Sequence, residues 1–265
     1  AAALLCLIAS PVIADPLSDC NQPRRPRLQL LSCPAVISSP MYNAVDKSAA
    51  YTNLGEIRVR SGALKAALAD FSNALRLDPS NDRAYAGRAQ TRFSTGDIRG
   101  SIQDFDKAIT IVPTESIYYA GRGHAYLVSG NADASIRDLN EAIRLDAESA
   151  VAFNNRGLAY RKKGDTNNAL ADYNKAISLN PVYALAYANR GYLFESLGKR
   201  REAIDDFTQA LRLDPSQVQT RKALRRLGTI DVAERESDTR VKRGRVLVES
   251  SRAAWHGIGT TGASP

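Results

Sequence analysis

The chain has 265 residues, of which 44% are hydrophobic and 24% charged, and its net charge at neutral pH is +8. This length is typical of one or two domains. The only histidines are His124 and His256, and neither has a metal-ligand partner three or four residues away. A metal centre or a serine–histidine–aspartate triad is therefore not expected. We predict no catalytic residues, no metal, no cofactor and no enzymatic activity.

Residues 1–14, AAALLCLIASPVIA, are apolar and end in small residues. This pattern is typical of a secretory signal peptide, so we predict cleavage after Ala14 and a periplasmic or secreted mature chain. One alternative is a short buried helix. Another is a lipoprotein modified at Cys6, although Leu5 is large for the residue before a lipidated cysteine. The segment 1–14 is too short to span a bilayer.

Residues 15–47 form a lead segment that is proline-rich at first and compatible with a helix from about Pro26 to Ser38. It contains Cys20 and Cys33, and an even number of cysteines in an exported chain predicts a disulfide. Closing a loop of this size contributes about 3 kcal/mol in the chain-entropy model. The alternative, two reduced thiols that bind a metal, lacks a nearby histidine. We expect the lead to cover the apolar face of the segment that follows.

Five segments of equal length come next without an insertion, at 48–81, 82–115, 116–149, 150–183 and 184–217. Each has an aromatic residue at position 4, a glycine at position 15 and an alanine at position 27. These residues are Tyr51, Tyr85, Tyr119, Phe153 and Tyr187, then Gly62, Gly96, Gly130, Gly164 and Gly198, then Ala74, Ala108, Ala142, Ala176 and Ala210. Apolar residues recur at helical spacing on both sides of each glycine, which predicts two helices per segment.

This pattern resembles the tetratricopeptide repeat (TPR), a helix-turn-helix unit of about 34 residues. The resemblance implies an all-α protein whose five hairpins stack into an α-solenoid, because one hairpin cannot bury its apolar face. Each turn glycine is expected to take the left-handed backbone conformation. Each alanine is expected to let two helices approach closely. The lead is also similar to cysteine-bearing segments that precede such repeats in secreted bacterial proteins.

In this family the first helices of the repeats line a concave groove, which repeat positions 2, 5, 6, 9, 12 and 13 face. The resemblance therefore implies a protein or peptide partner. The candidate groove residues of this chain are Asn53, Glu56, His124, Asn154, Asn155, Leu158, Arg161, Asn189 and Tyr192. A carboxamide offers both a donor and an acceptor, so three asparagines are the best candidates to hold an extended peptide: Asn154, Asn155 and Asn189. The alternative is that these groups only keep a solvated face soluble.

One type of TPR groove clamps a C-terminal carboxylate with lysine, asparagine and arginine side chains at these positions. In the first three repeats of this chain the positions include Thr52, Gly87, Ile117 and Gly121. Recognition of a free carboxylate by such a clamp is therefore not expected.

Charged residues recur at two further repeat positions. Arginine occupies position 7 in every repeat except the first, which has Leu54, and aspartate occupies position 23 in all of them. Since Asp70 has no arginine at position 7 of its own repeat, we hypothesise that each aspartate pairs with the arginine of the next repeat. The pairs would be Asp70–Arg88, Asp104–Arg122, Asp138–Arg156 and Asp172–Arg190. Because a guanidinium can bond a carboxylate at two places, such pairs would fix the stacking register.

Residues 218–228 alternate apolar and basic side chains at helical spacing, which predicts a capping helix that ends at Gly228. Residues 229–265 lack the repeat register and have few apolar residues, so we predict a largely disordered tail. Residues 218–265 carry +5 of the net charge. Such a basic segment attracts nucleic acid, anionic lipid or an acidic protein surface, and nucleic acid is the least available of these to an exported protein.

Two functions are compatible with the sequence. The first is a protein–protein interaction scaffold that binds a peptide or helix in the concave groove. The alternative is a tether that holds an anionic surface, such as a lipid, a polyanion or an acidic protein, through the basic cap and tail. A solvated tail with no partner is equally compatible with the composition.

Overall fold

The computed structural model describes residues 15–22 and 25–228. The predicted signal peptide at 1–14 and the predicted disordered tail at 229–265 lie outside the described residues. Those described residues form 13 helices and no strand, which confirms the all-α fold. The helices are α1 (Pro16–Cys20), α2 (Pro26–Ser38), α3 (Ala44–Arg60), α4 (Leu64–Leu77), α5 (Asp82–Ser94), α6 (Ile98–Ile111), α7 (Ser116–Val128), α8 (Ala132–Leu145), α9 (Ala150–Lys162), α10 (Thr166–Leu179), α11 (Ala184–Ser196), α12 (Arg200–Leu213) and α13 (Val218–Arg226).

The chain divides into two compact units, 1–165 and 166–265. The first contains α1 to α9 and the second α10 to α13. Within each unit every helix packs against the helix that follows it. In the first unit the first helices of successive repeats also contact each other, α3 with α5, α5 with α7 and α7 with α9. Packing of each repeat against the repeats next to it in the sequence is the pattern of an α-solenoid.

The turn glycines adopt the backbone conformation that the sequence predicts. Their φ angles lie between 71° and 93° at Gly62, Gly96, Gly130, Gly164 and Gly198. In each turn the residue after the glycine donates its N–H to a carbonyl five residues earlier, as Asp97 does to Arg92 at 2.9 Å. This bond closes the first helix of the hairpin, and it requires the left-handed residue that glycine supplies without strain.

Small residues allow the helices to approach closely. All five alanines at position 27 are fully buried. Phe71 is also fully buried, and its ring lies directly beneath two glycines, Gly55 and Gly87. A Cβ atom at Gly87 would lie 2.5 Å from that ring, and one at Gly121 would lie 2.4 Å from the ring of Phe105. The phenylalanines of one repeat therefore require glycine in the first helix of the next repeat.

The hypothesis that aspartates pair with the arginine of the next repeat is wrong. Arg122 donates to Asp138 of its own repeat, with Nε 2.7 Å and Nη2 2.9 Å from the two carboxylate oxygens. The same two-point bond joins Arg88 to Asp104 and Arg190 to Asp206, again within one repeat. The second helix of a hairpin faces its own first helix, so the aspartate reaches the arginine of that helix before it could reach the next one.

In the first repeat a different arginine satisfies the aspartate. Asp70 accepts a bond of 2.5 Å from Nη1 of Arg58, which lies at position 11, one helical turn after Leu54. Residues four apart lie on the same face of a helix, so Arg58 reaches the carboxylate that position 7 reaches elsewhere. Asp70 therefore has a partner in its own repeat although position 7 of that repeat is Leu54.

The arginines still connect neighbouring repeats, but through position 25 of the preceding repeat. Nη1 of Arg122 lies 2.7 Å from Asp106, and Nη1 of Arg156 lies 2.8 Å from Asn140. In the second unit Nη1 of Arg190 donates to Asn174 at 2.7 Å. A guanidinium has five donors in a fixed plane, so one side chain can bond its own hairpin and the preceding one together.

The lead contains the predicted disulfide between Cys20 and Cys33, and both residues are fully buried. They pack in one apolar cluster with Val36, Ala50 and Leu54. The carbonyl oxygen of Cys20 accepts hydrogen bonds from Gln29 at 2.9 Å and from Asn53 at 3.0 Å. These contacts fasten the lead to α3 in the first repeat.

At the other end, α13 packs on the last repeat. Ala223 and Leu224 are buried against Phe207. The guanidinium of Arg226 lies 2.7 Å from a carboxylate oxygen of Glu195, and Arg200 donates to the carbonyl of Leu227. Arg226 of the cap and Arg200 of the last repeat therefore both help to hold the cap in place.

Candidate binding groove

A cavity of about 580 Å³ lies on the first helices of the first unit. We call it the first-unit groove. Residues of α3, α5, α7 and α9 line it, together with Phe105 of α6. The lining residues are Glu56, Arg83, Ala86, Gly87, Gln90, Phe105, Ile117, Tyr118, Ala120, Gly121, His124, Val151 and Asn155. Its volume lies within the range of about 300–1,000 Å³ that is usual for binding pockets in proteins.

The floor of the groove is low because two neighbouring repeats have an Ala-Gly pair at positions 5 and 6. These pairs are Ala86-Gly87 on α5 and Ala120-Gly121 on α7. The ring of Phe105 lies beneath Gly121 and closes the floor from below. Other repeats have larger polar residues at position 6, such as Asn53 and Asn155. The small side chains therefore form a depression over α5 and α7.

Two exposed aliphatic side chains border the groove, and we call them the rim pair. Ile117 on α7 is 67% exposed and Val151 on α9 is 50% exposed. Both occupy position 2 of their repeats. Side chains this exposed add little to the stability of the fold, and they leave apolar surface available for a ligand.

Four of the six polar side chains that line the groove have a partner within the protein, and these are Glu56, Arg83, Tyr118 and Asn155. Arg83 and Glu56 form an ion pair of 2.7 Å that joins the second repeat to the first. The hydroxyl of Tyr118 donates to Asp82 at 2.5 Å. Burial is the main cause that raises the pKa of Tyr118 well above its usual value, and the bond to the Asp82 carboxylate is the second cause. The hydroxyl therefore stays protonated.

His124 lies in the groove with its ring 4.7 Å from that of Phe93, measured between ring centroids. Burial lowers the pKa of His124, because an imidazolium would lose hydration there. The side chain is therefore neutral at neutral pH. Among the described residues, neither His124 nor Gln90 has a side-chain hydrogen-bond partner, and both occupy position 9 of their repeats.

The predicted asparagines are placed differently from what the sequence suggested. Asn53 is 4% exposed, and its amide group is bonded to Cys20 and Asn21 of the lead. Asn154 is 2% exposed and donates to the side chain of Asn155 at 3.3 Å. Of Asn53, Asn154 and Asn155, only Asn155 lines the first-unit groove. Asn53 is therefore an anchor of the lead, and the buried side chain of Asn154 is closed to a ligand in this conformation.

The remaining candidate residues divide between the two units. Leu158 and Arg161 lie on α9, half-buried and outside the lining of the cavity. Asn189 and Tyr192 lie on α11 in the second unit, and the ring of Tyr192 packs edge-on against Phe207 at 4.8 Å. Of the candidates, only Glu56, His124 and Asn155 line the first-unit groove.

Sequence reasoning missed several groove residues, of which Arg83, Gln90, Tyr118 and the rim pair are the largest. Position 2 of the repeats was available as a signal, since it contains Ile117 and Val151, two aliphatic residues at a position that faces the groove. The Ala-Gly pairs were a second signal, because two adjacent repeats with small residues at positions 5 and 6 leave space above them.

The part of the chain that the structure describes contains no group of three or more histidine, cysteine, aspartate or glutamate residues arranged to hold a metal ion. Among the helices of those same residues, none combines the length and the apolar composition that crossing a membrane requires.

Family comparisons agree with the repeat register. The family described as Tetratricopeptide repeat matches residues 184–217, and another of the same description matches 52–116. The family described as TPR repeat matches 123–164 and 157–198. No curated protein matches the chain in sequence.

Solved structures of TPR proteins share the fold. A crystal structure of MamA is 26% identical, with a TM-score of 0.52 over 65% of this chain and 94% of that chain. TTC0263, a thermophilic TPR protein of Thermus thermophilus, is 21% identical, with a TM-score of 0.61 over 68% of this chain and 98% of that one. YrrB, described as a TPR protein with an unusual peptide-binding site, is 21% identical, with a TM-score of 0.50 over 66% of this chain and 90% of that one. These structures share the fold, and the family matches across most of 52–217 show that the chain belongs to the tetratricopeptide repeat family.

Proposed function

We propose that this chain is a non-catalytic scaffold that binds a segment of a partner protein in the first-unit groove. The observation that carries the proposal is the combination of a cavity of about 580 Å³, a floor of alanine and glycine, and an exposed aliphatic rim. The TPR fold supports a protein or peptide as the class of ligand.

The geometry of the groove favours a macromolecular segment over a small metabolite. The cavity spans four first helices and is open along them, with Glu56 on α3 and Val151 on α9 at its two ends. Its polar groups are few and most of them are bonded to other side chains of the protein, so they offer little to orient a small polar molecule. A protein segment can bury the exposed rim pair along its length.

We also propose that the protein is exported. The buried Cys20–Cys33 disulfide supports this location, because disulfides form and persist in oxidising compartments. The apolar composition of residues 1–14 supports a signal peptide, and these residues lie outside the described part of the chain.

The tether through the basic cap and tail is not favoured by an observation in the described residues. In the cap itself, Arg226 is engaged with Glu195 and Arg221 with the carbonyl of Pro215. The tail lies outside the described residues. Removal of residues 229–265 separates the two functions, since binding in the groove survives the truncation and salt-sensitive binding to an anionic surface does not.

Replacing both rim residues with glutamate should abolish capture of the partner. Immobilised protein with Ile117→Glu and Val151→Glu would be incubated with extract of the cells that make it, beside the unchanged protein. Glutamate is well tolerated near a helix N-terminus, where both residues lie, so the fold should be unaffected. Charges on the rim would have to lose their hydration to accept an apolar segment, which should weaken binding at least about tenfold.

The matched control is Val182→Glu, at a valine that is 71% exposed and does not line the groove. This variant should retain the partner. A partner lost equally from both variants, or from neither, would contradict the assignment of the groove. Circular dichroism of each variant shows whether it is folded.

A further inference from the structure

The groove also specifies the conformation of the segment that it binds. We infer that the ligand is an amphipathic α-helix of the partner, with an uncharged apolar face against the floor and the rim pair, and this inference rests on the proposed function. This inference differs from the extended peptide that the asparagines suggested.

The hydrogen-bonding groups of the groove favour a helical ligand. An extended peptide has backbone N–H and C=O groups that need partners once they are removed from water, whereas a helix satisfies them internally. In the groove, Glu56 and Arg83 are paired with each other, and Tyr118 is bonded to Asp82. Only Gln90 and His124, among the described polar lining residues, have side chains without a hydrogen-bond partner. These two side chains and the few remaining donors of Arg83 and Asn155 cannot satisfy the backbone of an extended segment that crosses four helices.

The spacing of the first helices also favours a helical ligand. Neighbouring first helices contact each other, and packed helices have axes about 8–10 Å apart, so equivalent residues such as Ile117 and Val151 are expected at about this spacing. Residues i and i+7 of a helix lie on one face, about 10.5 Å apart. Residues on the same face of a strand repeat at intervals of about 6.8 Å. A helix that runs across α5, α7 and α9 therefore matches the repeat of the groove, and a strand does not.

The size and charge of the lining side chains favour an uncharged helix face. Alanine and glycine on the floor let the axis of a bound helix approach closely, since larger side chains would hold it away. The charges of Glu56 and Arg83 neutralise each other at one end. His124 is neutral because burial lowers its pKa. An uncharged helix face is complementary to this surface.

A displayed library of random peptides of about 16 residues, which is about 24 Å of helix, tests the inference. The full chain with its disulfide formed would select peptides, and the Ile117→Glu/Val151→Glu variant would then remove those that do not depend on the rim. We expect the remaining peptides to share apolar residues at i, i+3 or i+4, and i+7. A proline in the middle of a synthetic copy should weaken binding at least about tenfold, because proline removes a backbone donor and interrupts the helix. Proline at the first helical position is the matched control and should be tolerated.

The outcomes separate the inference from the proposed function. Rim-dependent peptides with apolar residues at every second position, or peptides that tolerate a central proline, would overturn the helix and leave groove binding intact. If every selected peptide binds the rim variant as well as the unchanged chain, or if none is selected, both the groove and the helix are contradicted.

Discussion

Replacing Arg122 with leucine should lower the free energy of unfolding by about 3–5 kcal/mol, because it leaves a buried carboxylate without its partner. Asp138 is 8% exposed and receives two bonds from Arg122, which also bonds Asp106 of the preceding repeat. Burial alone lowers the pKa of Arg122, but the bonds to Asp138 and Asp106 outweigh it and raise that pKa above its usual value. The guanidinium therefore stays charged, and its removal strands Asp138. Urea unfolding measures the loss.

Arg144→Leu is the matched control. Arg144 pairs with Glu141 on the same helix and its side chain is 67% exposed, so its loss should leave the free energy of unfolding almost unchanged. A double-mutant cycle then identifies the partner of Arg122. The energy of coupling to Asp138 should exceed about 1 kcal/mol, and coupling to Asp104 should be near zero. Strong coupling to Asp104 would restore the pairing between repeats and contradict the geometry described above.

Replacing Gly121 with asparagine should cost about 1–3 kcal/mol, because the new Cβ would lie 2.4 Å from the ring of Phe105. The same chain offers a tolerated combination one repeat later, where Leu139 stands at the position of Phe105 and Asn155 at that of Gly121. Phe105→Leu removes the ring that the asparagine would meet. The double variant should therefore be more stable than the sum of the two single effects predicts.

Thermal melts of the two single variants and the double variant test this compensation. A matched control combines Phe105→Leu with Gly198→Asn. Gly198 has a φ angle of 71°, and a Cβ atom added there would meet no other atom within 4 Å, so no coupling is expected. Purely additive losses for Gly121→Asn and Phe105→Leu would show that the ring does not require the glycine.

The repeat register could be predicted because each of its residues has a local physical reason. Gly62 and its equivalents are required by a turn with positive φ, and Ala74 and its equivalents by close packing. These requirements recur at the same positions of every repeat, so the five copies reinforce one another. The disulfide followed in the same way from the number of cysteines and the predicted compartment.

The charge pairs and the groove could not be predicted in full, because they depend on which side chains lie within bonding distance in the folded chain. Arg58 reaches Asp70 from position 11, and the lead reaches Asn53 through the carbonyl of Cys20. The spacing of the repeats in the sequence predicts neither of these two contacts. The floor and rim of the cavity lie at positions 2, 5 and 6, which are among the positions that face the groove in the family. These positions did not show that two asparagines would be buried by neighbours and that small residues would form the floor.

Site-specific photo-crosslinking in cells tests most directly whether the first-unit groove holds the partner. A photoreactive phenylalanine derivative would replace Ile117 in one variant and Val182 in another, two residues of similar exposure at 67% and 71%. We predict that Ile117 crosslinks to one defined segment of a partner protein and that Val182 does not. Crosslinks from Val182 alone, or to the same segment from both positions, would contradict a binding site in the groove.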